Sequence, residues 1–349
     1  MPRDFIVSPT ERILVTGSNG FIGAKVVETL LEYGYRNVRC FVRPSSRLDR
    51  LQQVIRKHAA EGSVELTTGD LLSRDDCARA AEGVSVVCHL AAGFDKSFAG
   101  AFMSSVLGTR NLIEAFLERG RPKRFVNVSS FAVYSNHSLA RGALLDERSP
   151  LEDDYQQRYD AYGFGKHKQE ELVQAYGRTH NLPYVILRPG TVFGPGKKDL
   201  TGRIGVDTFG FFVHIGGSNR LPLTFVDNCA EAIVLAGLVP GVEGEVMNVV
   251  DDEPLTSSQF LRAYKTVRPT FSLRLPYFMA RLFSWMWESY SKRSQGQLPP
   301  AFNRRRCAAE WKGNTFSNRK LRDRLGWEPR IGMDEAIRRF LAQFSSQVG

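Results

Sequence analysis

Cysteine is scarce. Among 349 residues there are five, Cys40, Cys77, Cys88, Cys229 and Cys307, and their scattered spacing matches neither a zinc-ligand set nor a disulfide framework. No metal site is expected, and a reducing cytoplasm fits this usage. Long apolar runs are also missing: no window reaches the ~18 uninterrupted apolar residues of a bilayer span. The opening stretch MPRDFIVSPTERILV has no apolar core behind a basic start and does not read as a secretory signal. Internal repeats and low-complexity tracts are absent. Basic residues outnumber acidic ones, 47 to 37, giving a net charge of +10, yet only Arg304-Arg305-Arg306 forms a tight run. Dispersed cations of this kind argue against a nucleic-acid partner and suit a small anionic ligand, or solubility alone.

With 42% hydrophobic residues the chain has ample material for a core. The sharpest local signal is VTGSNGFIG at residues 15 to 23, with Gly17, Gly20 and Gly23 directly after the short apolar run Arg12 to Thr16. Ala24 to Leu31 follow with helical spacing of Val26, Val27, Leu30 and Leu31. A glycine-rich turn between a buried strand and a helix lets the backbone approach a pyrophosphate, whose charge meets the free N–H groups of the helix.

Strand and helix signals then alternate. The stretches 37–42, 64–70, 84–92, 124–130 and 184–190 read as further strands, with amphipathic segments such as GTRNLIEAFLERG (108–120) between them. The expected fold class is α/β, a Rossmann-type doubly wound parallel sheet with a smaller, mostly helical C-terminal substrate domain. The dinucleotide-binding domain is expected over 10–190 plus 227–250, the latter bringing a return strand at 244–250. The substrate-binding domain takes 191–226 plus 251–349, and a small-molecule substrate would lie in the cleft between the two.

About 20 residues beyond the motif, a dinucleotide site places the side chain that meets the adenosine ribose. Counting from Gly23 lands on Arg43, with Ser45, Ser46 and Arg47 beside it and no acid before Asp49. An arginine there pairs with a 2′-phosphate, so NADP(H) is favoured, while NAD(H) stays open because Arg43 can also stack on adenine.

YGFGK sets Tyr162 and Lys166 four apart on one helix face. A free tyrosine ionises near pH ~10, and a neighbouring ammonium, aided by an oxidised nicotinamide, would bring the phenol into range for acid/base work. Ser130, at the end of the fifth strand, is placed to hydrogen-bond the same substrate oxygen.

These residues resemble the extended short-chain dehydrogenase/reductases, the NAD-dependent epimerase/dehydratase family. The likeness runs through TGSNGFIG, GDL (69–71), HLAA (89–92), VSS (128–130), YGFGK, LRPGTVFGPG (187–196), TFVDNCAEAI (224–233) and LGWEP (325–329). By resemblance, Phe21 and Ile22 join the three glycines at the cofactor, Asp70 and Leu71 flank the adenine, and Leu90, Ala91 and Ala92 line the cofactor channel. Pro189 belongs to the same set, and Lys166 also holds the nicotinamide ribose. Phe94, Ser130, Gly190 and Arg220 would meet the substrate. Relatives commonly dimerise through the helices carrying GTRNLIEAF and YGFGKHKQEEL, so a homodimer is implied.

Departures from the family pattern bear on the substrate. Where 4,6-dehydratases carry Asp-Glu, this chain has Phe131 and Ala132, which speaks against dehydration. Gly190 stands where many sugar-nucleotide epimerases keep an Asn, and in SVLGT (105–109) Ser105 replaces the usual Asn of the NVxGT helix; the first departure resembles dihydroflavonol reductases and 3β-hydroxysteroid dehydrogenases. Arg220, seven residues before Asp227, sits where sugar-nucleotide enzymes hold a substrate phosphate, with Lys197, Lys198 and arginines 304 to 306 as further candidate charge. The expectation is hydride transfer at a secondary alcohol or ketone carbon, with a nucleotide sugar ranked ahead of a hydrophobic ketone or alcohol. A non-catalytic dinucleotide sensor is the reading from another class. The aromatic stretch LPYFMARLFSWMWESY (275–290) reads foremost as substrate-domain core, with a cap over a hydrophobic substrate or a shallow contact with a membrane interface left open.

Overall fold

The computed structural model describes residues 4–60, 62–93, 95–197, 202–208, 210–294 and 297–345. Seven strands form one parallel sheet: β1 (Arg12–Thr16), β2 (Val38–Val42), β3 (Val64–Thr68), β4 (Val84–His89), β5 (Arg124–Val128), β6 (Tyr184–Pro189) and β7 (Val246–Val249). Their spatial order is 3-2-1-4-5-6-7, so the chain leaves β1 in one direction through β2 and returns to its other side at β4. That reversal opens a crevice at the carboxyl ends of β1 and β4, where such sheets receive ligands. β2, β4 and β5 are buried at every position, which is why they read as continuous apolar runs rather than alternating ones.

Helices cover both faces. On one side α1 (Phe21–Glu32), α2 (Asp49–His58) and α6 (Val226–Leu238) share a core with Ile13, Val15, Val86 and Val126. On the other, α3 (Arg74–Ala81), α4 (Gly108–Arg119) and α5 (Ala161–His180) pack on Leu14, Val87 and Phe125 through Leu112, Phe116 and Val173. A third core lies off the sheet, where Phe193, Phe225, Phe260, Phe340 and Phe344 bring the helices Ser257–Val267 and Met333–Ser345 together. Trp327 of the LGWEP stretch is fully buried in the first core, and its indole N–H donates to the Asn228 carbonyl at 3.1 Å. All five cysteines are free and buried.

One sequence expectation is reversed. The aromatic stretch forms α7 (Tyr277–Arg293), but its large side chains are not core: Phe278, Leu282, Trp285, Met286 and Tyr290 are exposed. What α7 buries is Ala280, Ser284, Glu288 and Ser291, packed against α8 (Arg304–Trp311). Glu288 is drawn inward because Arg304 and Lys292 neutralise it, and small side chains let the two helices approach closely. No described helix is long and apolar enough to cross a membrane.

Candidate active site

The glycine turn is built by close approach. Gly17 has φ +67°, and a Cβ on Gly23 would lie 2.1 Å from the Gly17 carbonyl oxygen, so α1 can start this close to β1 only with glycine there. Gly20 is the N-cap of α1 and supplies no side-chain cap, and the first turn, Phe21 to Ala24, holds no acid. The leading N–H groups of a twelve-residue helix are thus left for an anion at the switch point of the sheet, which fits a dinucleotide pyrophosphate.

The other residues assigned to the cofactor surround this turn. Arg43 and Asp70 are exposed just past the ends of β2 and β3. The Arg43 backbone closes a turn with Ser46, whose N–H donates to the Arg43 carbonyl at 3.0 Å. The Asn19 amide reaches the Arg47 carbonyl at 3.3 Å, tying the glycine turn to the loop after β2. Leu71 is half-buried and its carbonyl accepts from Asn111 at 2.9 Å; Leu90, Ala91 and Ala92 are half-buried after β4, and Pro189 is buried at the end of β6.

Across the crevice, α5 presents Tyr162 and Lys166 one turn apart. Asp160 caps the helix by accepting from Gly163 N–H at 2.8 Å, and Arg158 holds Asp160 through its Nε at 3.0 Å. Arg158 is fixed in turn by the Tyr134 carbonyl at 2.9 Å, so the approach to Tyr162 is framed by a buried cation and its acids. Ser130 hydrogen-bonds Tyr162 and accepts from Ala132 N–H at 3.1 Å. The structure therefore brings Ser130, Tyr162 and Lys166 together at the carboxyl end of β5. Burial pushes the Tyr162 phenol up to about 12, against the pull of Ser130; the downward shift expected from the sequence invokes an oxidised nicotinamide beside the phenol together with Lys166. The protein's own groups thus keep Tyr162 a phenol at neutrality.

Lys166 is buried, and its Nζ donates to the Val128 carbonyl at 2.7 Å and to Gln169 Oε1 at 3.0 Å. Burial lowers its pKa to about 8 while Glu170 draws it upward. Glu170 itself is bound by Arg188 of β6, with Nε to Oε1 at 2.9 Å.

Sequence reasoning missed the polar chain beneath these groups. Gln169 Nε2 donates to Thr109 Oγ1 at 2.7 Å, and Thr109 Oγ1 also contacts His89 Nε2 at 2.8 Å. His89 Nδ1 lies 2.7 Å from Thr16 Oγ1, which accepts from Ala91 N–H at 3.2 Å. Because the Thr109 hydroxyl proton goes to the Ser105 carbonyl, Nε2 must be the donor and Nδ1 the acceptor: the ring is the neutral Nε2–H tautomer. Burial, with the Lys166 charge, lowers its pKa to about 3. HLAA and YGFGK were visible as motifs, but nothing in their spacing says that His89 and Gln169 meet at one threonine.

The residues assigned to substrate are less concentrated. Gly190 is half-buried, and a Cβ there would meet the Pro222 carbonyl oxygen at 2.1 Å, so backbone contact alone demands glycine. Arg220 is exposed and pairs its backbone with Thr256. Phe94 and Lys198 lie outside the described residues. Lys197 Nζ donates to the Val192 carbonyl at 3.1 Å. Arg304 binds Glu288, and Arg305 binds Glu152 and Asp153, so two of the three arginines in the basic run are committed to ion pairs within the protein, while Arg306 is exposed and donates to the Ala301 carbonyl at 3.3 Å. Phe131 is core, edge-on to Tyr134 at 5.4 Å.

A switch-point glycine turn facing a Ser-Tyr-Lys set on a doubly wound sheet defines a pyridine-nucleotide-dependent oxidoreductase. The chain belongs to the NAD dependent epimerase/dehydratase family, whose model matches residues 13–249. It is 28% identical over 365 residues to the 3beta-hydroxysteroid-dehydrogenase/decarboxylase isoform 2 of Arabidopsis thaliana, an alignment covering 96% of this chain and 62% of that longer protein. It is also 28% identical over 345 residues to the 2-alkyl-3-oxoalkanoate reductase of Stenotrophomonas maltophilia, covering 95% of this chain and 98% of that one. Among solved structures, gox2253 superposes with a TM-score of 0.76 at 26% identity, over 97% of this chain and 99% of its own.

Proposed function

We propose that this protein is a reductase that moves a hydride from NADPH to the carbonyl carbon of a hydrophobic ketone and, in the reverse direction, from the secondary alcohol. The observation that carries the substrate class is the commitment of Arg304 and Arg305 to Glu288, Glu152 and Asp153, which withdraws two of the candidate cations from a nucleotide diphosphate. The named relatives support it, since both printed activities concern steroid or alkyl oxo and hydroxy compounds. Arg43, exposed past β2, supports NADP(H) over NAD(H).

The pyridine nucleotide supplies the hydride. Ser130 and Tyr162 hold the carbonyl oxygen between two hydroxyl donors, and Tyr162 gives its proton to that oxygen as the hydride reaches the carbon. A phenol held protonated by burial suits that direction. Lys166, fixed by Val128 and Gln169, keeps one N–H for the nicotinamide ribose and stabilises the phenolate left behind. The substrate unit is drawn over 191–226 plus 251–349, anchored to the dinucleotide unit by Leu321, Leu325 and Trp327, and a homodimer through α4 and α5 completes the proposal. The nucleotide-sugar reading retains the exposed Arg220 and Arg306.

The test is cofactor-linked turnover with two substrate panels, steroid and long-chain ketones against nucleotide sugars, in wild type and Tyr162→Phe. NADPH consumption with the ketones, lost in the variant while cofactor still binds, supports the proposal. Interconversion of nucleotide sugars, with NAD released only on denaturation, overturns the substrate class. Cofactor binding without turnover of either panel points to the sensor and overturns catalysis.

A further inference from the structure

α7 is built inside out. Its buried stripe, Ala280, Ser284, Glu288 and Ser291, recurs at i, i+4, i+8 and i+11 and is small or polar. Its outer face carries Phe278 at 70% exposure, Leu282 at 52%, Trp285 at 50%, Met286 at 51% and Tyr290 at 61%, the first four at i, i+4, i+7 and i+8. Scattered exposed apolar residues are ordinary, but a continuous helix face of large aromatics is not.

The apolar surface extends beyond the helix. The strands Gly205–Thr208, Phe211–His214 and Ser272–Arg274 form a small sheet in which Leu273, Val213 and Val206 stand in register on one face. Val213 packs with Ala280 and Tyr277 of α7, while Leu273, Val206 and the neighbouring Phe271 are exposed.

The exposed charge of α7 has one sign, and across the whole face cations outnumber the one exposed acid of the small sheet, Asp207. Arg274, Arg281, Lys292 and Arg293 border it and are exposed, whereas Glu288, the one acid of α7, is buried beneath Arg304 and Lys292. The helix is ~25 Å long and does not qualify as a span. Tryptophan and tyrosine, apolar in body and polar at the edge, are the side chains that settle at the boundary between headgroups and acyl chains.

We propose that this face seats on the surface of an anionic phospholipid bilayer, with α7 lying in the plane of the interface. Its aromatics enter the headgroup boundary and its bordering cations meet the lipid phosphates. A second copy of the chain fits less well, because stacking two such faces sets cation against cation with no exposed acid on α7 to relieve it. The proposal is independent of the substrate class, since α7 supplies no residue of the Ser-Tyr-Lys set.

The experiment is co-sedimentation of the full chain with vesicles of phosphatidylcholine alone and of phosphatidylcholine with about a quarter phosphatidylglycerol. Binding is expected to the anionic vesicles, with a blue shift of tryptophan fluorescence. Phe278→Ser with Trp285→Ser should weaken it by about tenfold or more, and Arg281→Gln or Arg293→Gln by about fivefold each. The substituted side chains are exposed, so cofactor binding and melting temperature should stay at wild-type values in all four substitutions. Equal binding by wild type and the aromatic double variant overturns the proposal. So does absence of vesicle binding, and if the wild type is then a dimer that Trp285→Ser dissociates, the face belongs to a second copy. Ketone turnover in solution is read separately, so failure here leaves the reductase reading standing, and the converse.

Discussion

His89 accepts a hydrogen bond from Thr16 at 2.7 Å, joining β4 to the strand that carries the glycine turn. The two residues are register neighbours, and the other ring nitrogen passes the connection through Thr109 and Gln169 to Lys166. With its pKa lowered to about 3, His89 should show the Nε2–H tautomer and a flat 15N shift from about pH 8 to about pH 5. A ring that titrates near the usual value would refute the hydrogen-bond directions. His89→Phe leaves the buried Thr16 hydroxyl without its acceptor, while Thr109 keeps Ser105 and Gln169, and should cost ~1–3 kcal/mol in chemical denaturation.

Lys166 predicts a pH-dependent stability difference. Its folded pKa, about 8, lies below the ordinary 10.5, so between those values the unfolded chain binds the extra proton and stability rises with pH. Relative to Lys166→Met, the wild type should therefore gain ~3 kcal/mol between about pH 7 and about pH 10.5. Urea unfolding of both proteins at the two pH values measures it; a gap independent of pH contradicts the burial argument.

Gly23→Ala places a methyl against the Gly17 carbonyl and Ser18 Cα, neither of which is a flexible side-chain end. Either α1 shifts away from β1 or the turn opens. A loss of ~3 kcal/mol or more in stability, or a dinucleotide Kd raised by about tenfold or more, is expected by calorimetry. Wild-type values on both counts would show that the turn is not held as described.

Arg43→Ala removes an exposed side chain and should leave stability within ~0.5 kcal/mol. The ratio of NADPH to NADH affinity should fall by about tenfold or more, because a charge-assisted contact to the 2′-phosphate is lost. An unchanged ratio, measured by fluorescence titration, would return the choice to NAD(H).

The sheet was largely legible in the chain because each strand is a short apolar run and each crossover helix carries its own period. The pairing of Tyr162 with Lys166 was equally legible, being one helical turn. Arg188 with Glu170 was not, nor Arg305 with Glu152: those partners come from different elements, and only packing brings them together.

The sequence by itself determined the alternation of strand and helix, the glycine turn and the helical spacing of the tyrosine and lysine, all of which rest on hydrogen bonds and sterics within a few residues. Tertiary structure alone decided which way α7 faces, since periodicity marks an apolar stripe without saying whether core or solvent lies beyond it. It also decided which basic residues remain available to a ligand and which are spent on buried acids. And it closed the line from Thr16 to Lys166, because a buried polar group takes its partner from whatever element folding sets beside it.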